Sequence, residues 1–225
     1  MFTKRALCAL CLAIGAAAGC WGQPEASLGE NGKQGVDLVK AGGFEKARRY
    51  LDDGIAETPD NPVLYEYLGL AYLDCASGID MKRCLTKAGE YMDKAIALGG
   101  RAAVIADRYT TGKGGFLGTM SNKGDVTGVV RGMLYIYKDR IEFAPKPGPK
   151  AEAQAVTLQA AEIKEGGTGM NSVVGGDVNT FHIKTKAVTC NFRTANFSAD
   201  EAQLIFQLME KYQGIRAPAP KKGNK

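Results

Sequence analysis

The feature that most constrains this chain is an internal copy. Residues 46–56, KARRYLDDGIA, align without a gap on residues 87–97, KAGEYMDKAIA, with six identities in eleven positions. Upstream of each copy lies a second matching element, Gly35 and Leu38 in the first and Gly69 and Tyr72 in the second, offset by 34 residues. The offset grows to 41 between the downstream copies, so seven residues are inserted between Tyr72 and Lys87, and Cys75 and Cys84 flank the insertion. Self-similarity at such a period implies like units that stack, each covering the apolar face its neighbour leaves open.

A period of 34 with two helices per unit resembles the tetratricopeptide repeat. The second unit carries the pattern as Tyr65, Leu68, Gly69, Tyr72, Ala88, Met92 and Ala95, and the first as Gly35, Leu38, Ala47, Leu51, Gly54 and the closing Pro59. Small residues let paired helices approach and larger ones fill the space between pairs, so these positions are core. Members of that family hold peptides or proteins along the concave surface made by the first helix of each unit. The resemblance therefore implies Val36, Val39, Lys40, Glu66, Leu70 and Asp74 as partner-binding residues. Two units are too few to bury their own faces, so either a partner or the rest of the chain occupies that surface.

From Gly99 the pattern changes from helical to alternating. Residues 102–106, AAVIA, predict a strand, and a glycine-rich stretch over 112–128 follows. MLYIYKDRIEFAP (133–145) reads as strand, tight turn at 138–140, and strand. AVTLQAAEI (155–163) predicts one further short strand with a polar interruption. TFHIKTKAVTCNFRT (180–194) predicts a hairpin with Phe181, Ile183, Val188, Cys190 and Phe192 on its apolar faces. A final helix is announced by Ser198 and Glu201 as a capping box, by the stripe Leu204, Ile205, Leu208, Met209 and Tyr212, and by the stop at Gly214. Antiparallel strands closed by one amphipathic C-terminal helix, with the LYIYKDRIEF hairpin, resemble the pleckstrin-homology superfold and its GRAM-like members. Some of those families bind phospholipid head groups and many bind proteins; Lys138, Arg140, Lys184 and Lys186, at strand turns, are the basic rim such a role would use.

The first nineteen residues are an export address: Lys4 and Arg5, then an apolar run too short to span a bilayer, then small residues. Ala17-Ala18-Gly19-Cys20 resembles a bacterial lipoprotein signal, with Ala17 where that family usually carries leucine. The resemblance implies lipidation of Cys20 and an anchor facing the periplasm or cell surface, and Trp21, where an inner-membrane retention signal often has aspartate, favours the outer membrane. Ordinary cleavage would instead leave Cys20 unmodified and among the cysteines that could form a disulfide. Cys8 and Cys11 fall inside the removed segment, so their C-x-x-C spacing is no redox centre. Cys75 and Cys84 are either a disulfide or two buried thiols in a compartment that permits bonding, and Cys190 reads as a small core residue.

No cysteine or histidine grouping has metal spacing, and no cofactor is implied. The one histidine, His182, alternates outward from Phe181 and Ile183 and has no nucleophile with an orienting partner, so no catalytic residue is named. TTGKGG (110–115) lacks the flanking residues of a phosphate loop. The formal charge of +5 falls once Lys4 and Arg5 are removed and lies partly in the terminal lysines, which leaves no surface for nucleic acid.

The expected fold class is α+β. A signal peptide (1–19) and a tether (20–30) precede two tetratricopeptide-like hairpins (31–100), a pleckstrin-like or GRAM-like antiparallel β domain with its C-terminal helix (101–213), and a disordered basic tail (214–225). The expected function is non-catalytic: a membrane-anchored lipoprotein that binds or scaffolds a protein or peptide at the bacterial envelope. The other reading is a lipid or small-ligand binder that uses the β domain.

Overall fold

The computed structural model describes residues 27–75, 80–111, 126–148, 155–173, 176–196 and 198–216. Residues 1–26, which include the expected signal peptide, Cys20 and most of the expected tether, residues 112–125 and the residues from 217 lie outside them.

Four helices come first: α1 (Glu30–Lys40), α2 (Phe44–Glu57), α3 (Pro62–Asp74) and α4 (Met81–Ala97). The pairs close where glycine faces a neighbour. A Cβ on Gly35 would stand 2.7 Å from Leu51 Cγ, and one on Gly69 would stand 2.7 Å from Met92 Cγ, so the shared glycines set how near the helices lie. Helix α3 starts cleanly because Asn61 Oδ1 accepts the Val63 N–H at 3.0 Å and Pro62 needs no donor. Its sequence, PVLYEYLGLAYLD, is apolar all round, as suits a helix packed against α1, α2, α4 and the sheet together. Cys75 and Cys84 are joined by a disulfide, Cα–Cα 5.9 Å, which ties the end of α3 to the first turn of α4.

Seven strands follow: β1 (Ala102–Thr111), β2 (Val126–Ile136), β3 (Arg140–Pro145), β4 (Val156–Gln159), β5 (Ile163–Val173), β6 (Gly176–Thr185) and β7 (Thr189–Thr194), and then helix α5 (Ala199–Gln213). They form one antiparallel sheet in the order β4-β3-β2-β1-β7-β6-β5. Three strand spacings, about 14 Å in a flat sheet, separate β3 from β7. Yet the Phe143 and Phe192 rings lie 5.6 Å apart, with Phe181 stacked 5.3 Å beyond, so the sheet curls until its two halves face each other. Strand β7 pairs with β1 only over Ala106–Tyr109, which leaves the first half of β1 free on that side. Helix α3 packs against β1 more extensively than any other helix.

One core joins α4 (Cys84, Leu85, Ala88, Met92, Ile96) to the curled sheet and to α5. A second core holds α1, α2 and α3 around Leu51, Leu64 and Leu68, with Ile105 and Met133 of the sheet against it. The second helical pair thus shares its interior with the β region across the boundary expected at residue 100. The ends of the fold also extend past the expected limits. Leu28 packs on the helical core, Ser27 Oγ accepts from Asn61 Nδ2 at 3.3 Å, and Ile215 is buried with Arg216 O accepting the Gly166 N–H.

Three local expectations are corrected. Residues 155–163 are not one strand: a 3₁₀ turn at Ala160–Glu162 splits them, and β4 and β5 lie on opposite edges of the sheet. The long strand β5 carries no apolar alternation, because α5 and its extension lie close on it; a Cβ at Gly166 would stand 2.8 Å from Ile215 and 3.2 Å from Phe206. Val188 is not on the apolar face: it is 37% exposed in a turn where Thr185 Oγ1 accepts the N–H groups of Ala187 and Val188.

Helix α5 is capped as half a capping box. Ser198 Oγ accepts the Glu201 N–H at 3.4 Å and Gly214, at φ +66°, ends the helix, but the Glu201 side chain turns inward. Asp52 and Asp93, equivalent in the two copies, are used alike. Asp52 takes a hydrogen bond from Tyr91 of the next unit, and Asp93 takes one from Tyr212 of α5 at 2.8 Å. In this respect α5 stands where the next repeat would.

Candidate functional site

The concave surface expected to hold a partner is largely filled from within. Val36, Val39 and Leu70 are buried in the helical core, which Ile105 and Met133 of the sheet cover. Glu66 is 7% exposed and bonds Arg101 Nε at 2.9 Å, while Arg101 also donates to the Tyr137 hydroxyl and lies 3.9 Å over the Tyr135 ring. Burial works against the Arg101 charge, but Glu66 and the two tyrosines outweigh it and hold the guanidinium protonated. Those four residues are therefore internal joints. Lys40, 5.9 Å over the Tyr67 ring, and Asp74 keep exposed positions.

The basic rim is two places. Lys138 and Arg140 sit at the β2–β3 turn, where β1 begins, since Ala102 pairs with Ile136. Lys184 and Lys186 sit by the β6–β7 turn, near where β1 ends, since Tyr109 pairs with Asn191 and Asn191 with His182. Counted along β1, the two groups are separated by more than about 23 Å of strand. Arg140 is further engaged by Glu142 at 2.6 Å, Asp139 at 3.0 Å and the Tyr137 ring at 3.7 Å, and Lys184 by Glu165 at 2.8 Å. His182 lies half-buried between Gly167 and Asn191; burial, aided by Lys184, lowers its pKa against the pull of Glu165.

The arrangement with the most chemical capacity is one that sequence reading missed. Along β1, Ala102, Val104 and Ala106 face the shared core, and Ile105 and Asp107 face the opposite side. Ile105 and its partner Met133 meet the helices. One row further, Asp107 lies opposite Arg131 on β2 and Arg193 on β7. Its side chain is 3% exposed and accepts from Arg131 Nε at 2.8 Å, Arg131 Nη2 at 3.2 Å and Arg193 Nε at 3.1 Å. Burial alone would raise the Asp107 pKa; the two guanidinium groups more than reverse this and hold it below the usual carboxylate range.

The cluster carries one negative and two positive charges, and the side chain of Arg131 is half exposed. Val129, two residues before it on β2, is 42% exposed. A carboxylate that fixes guanidinium groups in place prepares them to receive another anion without first ordering them. The only trace in sequence was a charge at an alternating position of each strand, ADR, VVRG and NFRT; three charges become a cluster only once strand order and register are known.

Among the described residues, no group of three or more His, Cys, Asp or Glu is placed to hold a metal ion, and no helix is long and apolar enough to cross a membrane. No protein-family model matches the sequence, and no curated protein matches it.

Proposed function

We propose that this chain is a non-catalytic, lipid-anchored binding protein of the bacterial envelope, and that it presents the open face of its sheet to an acidic protein or peptide segment. Repeats of tetratricopeptide type then brace the sheet instead of forming the groove. Two features support those family readings: helix pairs spaced by shared glycines, and seven antiparallel strands closed by one C-terminal helix. The anchor rests on the Ala17–Cys20 pattern, and confinement to a membrane would raise the effective concentration of a partner there.

The observation that carries the reading is the Asp107–Arg131–Arg193 cluster, a hydrogen-bonded net-positive group near the exposed Val129. Cation geometry with an apolar neighbour suits a carboxylate-bearing segment with one anchoring side chain. The lipid or small-ligand reading would gain from a cavity beneath α5. Instead Ile205, Met209, Phe181 and Phe192 are fully buried in one packed core there.

The test is site-specific photocrosslinking in a bacterial host, with the crosslinker at Val129 and, for comparison, at Lys33 on α1. The expected result is a discrete adduct from Val129 that Arg131→Glu abolishes. Adducts from Lys33 alone, or a Val129 adduct indifferent to Arg131→Glu, would overturn the assignment.

A further inference from the structure

The Glu201 carboxyl, at the start of α5, is in an unusual place. The residue is 2% exposed, and neither Oε2 nor the neighbouring Thr194 Oγ1 has an aligned hydrogen-bond partner among the described residues. It lines a cavity of about 40 Å³ with Phe44 of α2, Leu70, Leu73 and Asp74 of α3, Ile105 of β1, and Ala195 and Asn196 of the β7–α5 turn. Such a space holds a water and no metabolite. It lies where helices, sheet and α5 meet, and Asn196 Nδ2 spans the same seam to Leu73 O at 3.2 Å.

The groups facing Glu201 explain what its charge would do. From α3 the titratable neighbour in the lining is Asp74, of the same sign as an ionised glutamate. Helix α2 and strand β1 contribute only Phe44 and Ile105. From β7 comes the Thr194 hydroxyl; Arg193, on the face of the sheet that carries Ile105, is bonded to Asp107 one row further along and is not in the lining. The Thr194 hydroxyl and the Asn196 backbone N–H favour the ionised form, but burial outweighs them and pushes the pKa up from 4.5 to about 7.

We propose that the seam between the helical unit and the sheet is proton-controlled: Glu201 holds it closed as a neutral acid and loosens it as a carboxylate, uncovering Phe44, Leu70 and Ile105. The sign follows from linkage. A carboxyl with a raised pKa binds its proton more tightly in the closed state than in water. Closure is therefore fully favoured below pH 4.5 and weakens as the pH rises towards about 7, beyond which the loss is constant. A pH change in the outer compartments would then set how much of the covered helical surface is on offer. This inference is independent of any partner at Arg131.

The test is hydrogen exchange of the Leu73, Ile105 and Asn196 amides at pH 5 and pH 8, corrected for the intrinsic pH dependence, together with the NMR titration of the Glu201 carboxyl. The expected result is an increase in seam opening on the order of 50-fold between the two pH values, tracking the carboxyl and absent in Glu201→Gln. Asp74→Asn should retain most of it. A carboxyl that titrates below pH 5, seam amides that follow intrinsic exchange alone, or an excess that persists in Glu201→Gln would each overturn the proposal. Should Glu201→Gln fail to fold, agreement or disagreement between the wild-type titration and exchange midpoints decides.

Discussion

The two helical pairs share a sequence pattern and have different interiors. Pair α1–α2 packs on α3 in a core of its own, to which the sheet adds only Ile105 and Met133 from outside. In the second pair, α4 turns Met92, Ala88 and Ile96 into the core of the curled sheet, with α5 stacked beside it. The equivalent positions make this plain. Leu51 and Met92 each lie beneath the glycine of the preceding helix, Gly35 and Gly69, yet only Met92 also touches the β region's core. What differs is the neighbour: a repeat has another repeat after it, and when the repeats end, something else must cover the last one.

Truncating both equivalent residues should break this comparison most strongly. Met92→Ala is expected to cost about 3–4 kcal/mol and to lower the unfolding of helices and sheet together. Leu51→Ala should cost about 3 kcal/mol, felt first as faster hydrogen exchange in α1 and α2. Urea denaturation combined with native-state exchange separates the two patterns.

Removal of the Cys75–Cys84 bridge by a double serine variant comes next. It closes a loop of about ten residues, so a loss of about 2–3 kcal/mol is expected. The effect should concentrate at the end of α3 and the start of α4 and leave α1–α2 exchange unchanged.

The smallest effects test whether α5 stands in for a repeat. Tyr91 donates to Asp52, and its pKa is pushed up to about 12, first by burial and then by that carboxylate. Tyr212 donates to Asp93, which Lys211 also contacts. Tyr91→Phe should cost about 1 kcal/mol. Tyr212→Phe should cost about 0.5 kcal/mol, because Asp93 keeps its lysine. Thermal melts of both variants at pH 7 give the comparison directly.

These residues also mark what the sequence could reveal. The repeat, its glycines and the α5 stripe were legible because helical spacing writes the core into a single segment. The hairpin at 133–145 was legible for the same reason at period two. Strand β5 was not, since IKEGGTGMNSV is shaped by what lies over it: Gly166 is small because Ile215 and Phe206 approach. The six residues expected on a concave surface lie on α1 and α3, but nothing local tells whether a residue such as Leu70 meets a partner or, as here, lies beside Ile105 of the same chain. The Arg131–Asp107–Arg193 cluster was invisible because its members lie on three strands whose spatial neighbours are distant in sequence. Glu201 fitted a capping box by pattern, yet its side chain is drawn into the seam instead.

The claim on which the rest depends is that the second helical pair and the sheet unfold as one body. It is tested by urea denaturation of the intact chain, followed residue by residue by NMR at the Met92 and Phe181 amides. Coincident midpoints and slopes at the two positions are the expected result. A Met92 transition at clearly lower urea, with Phe181 still native, would contradict it and restore two independent domains with a boundary near residue 100.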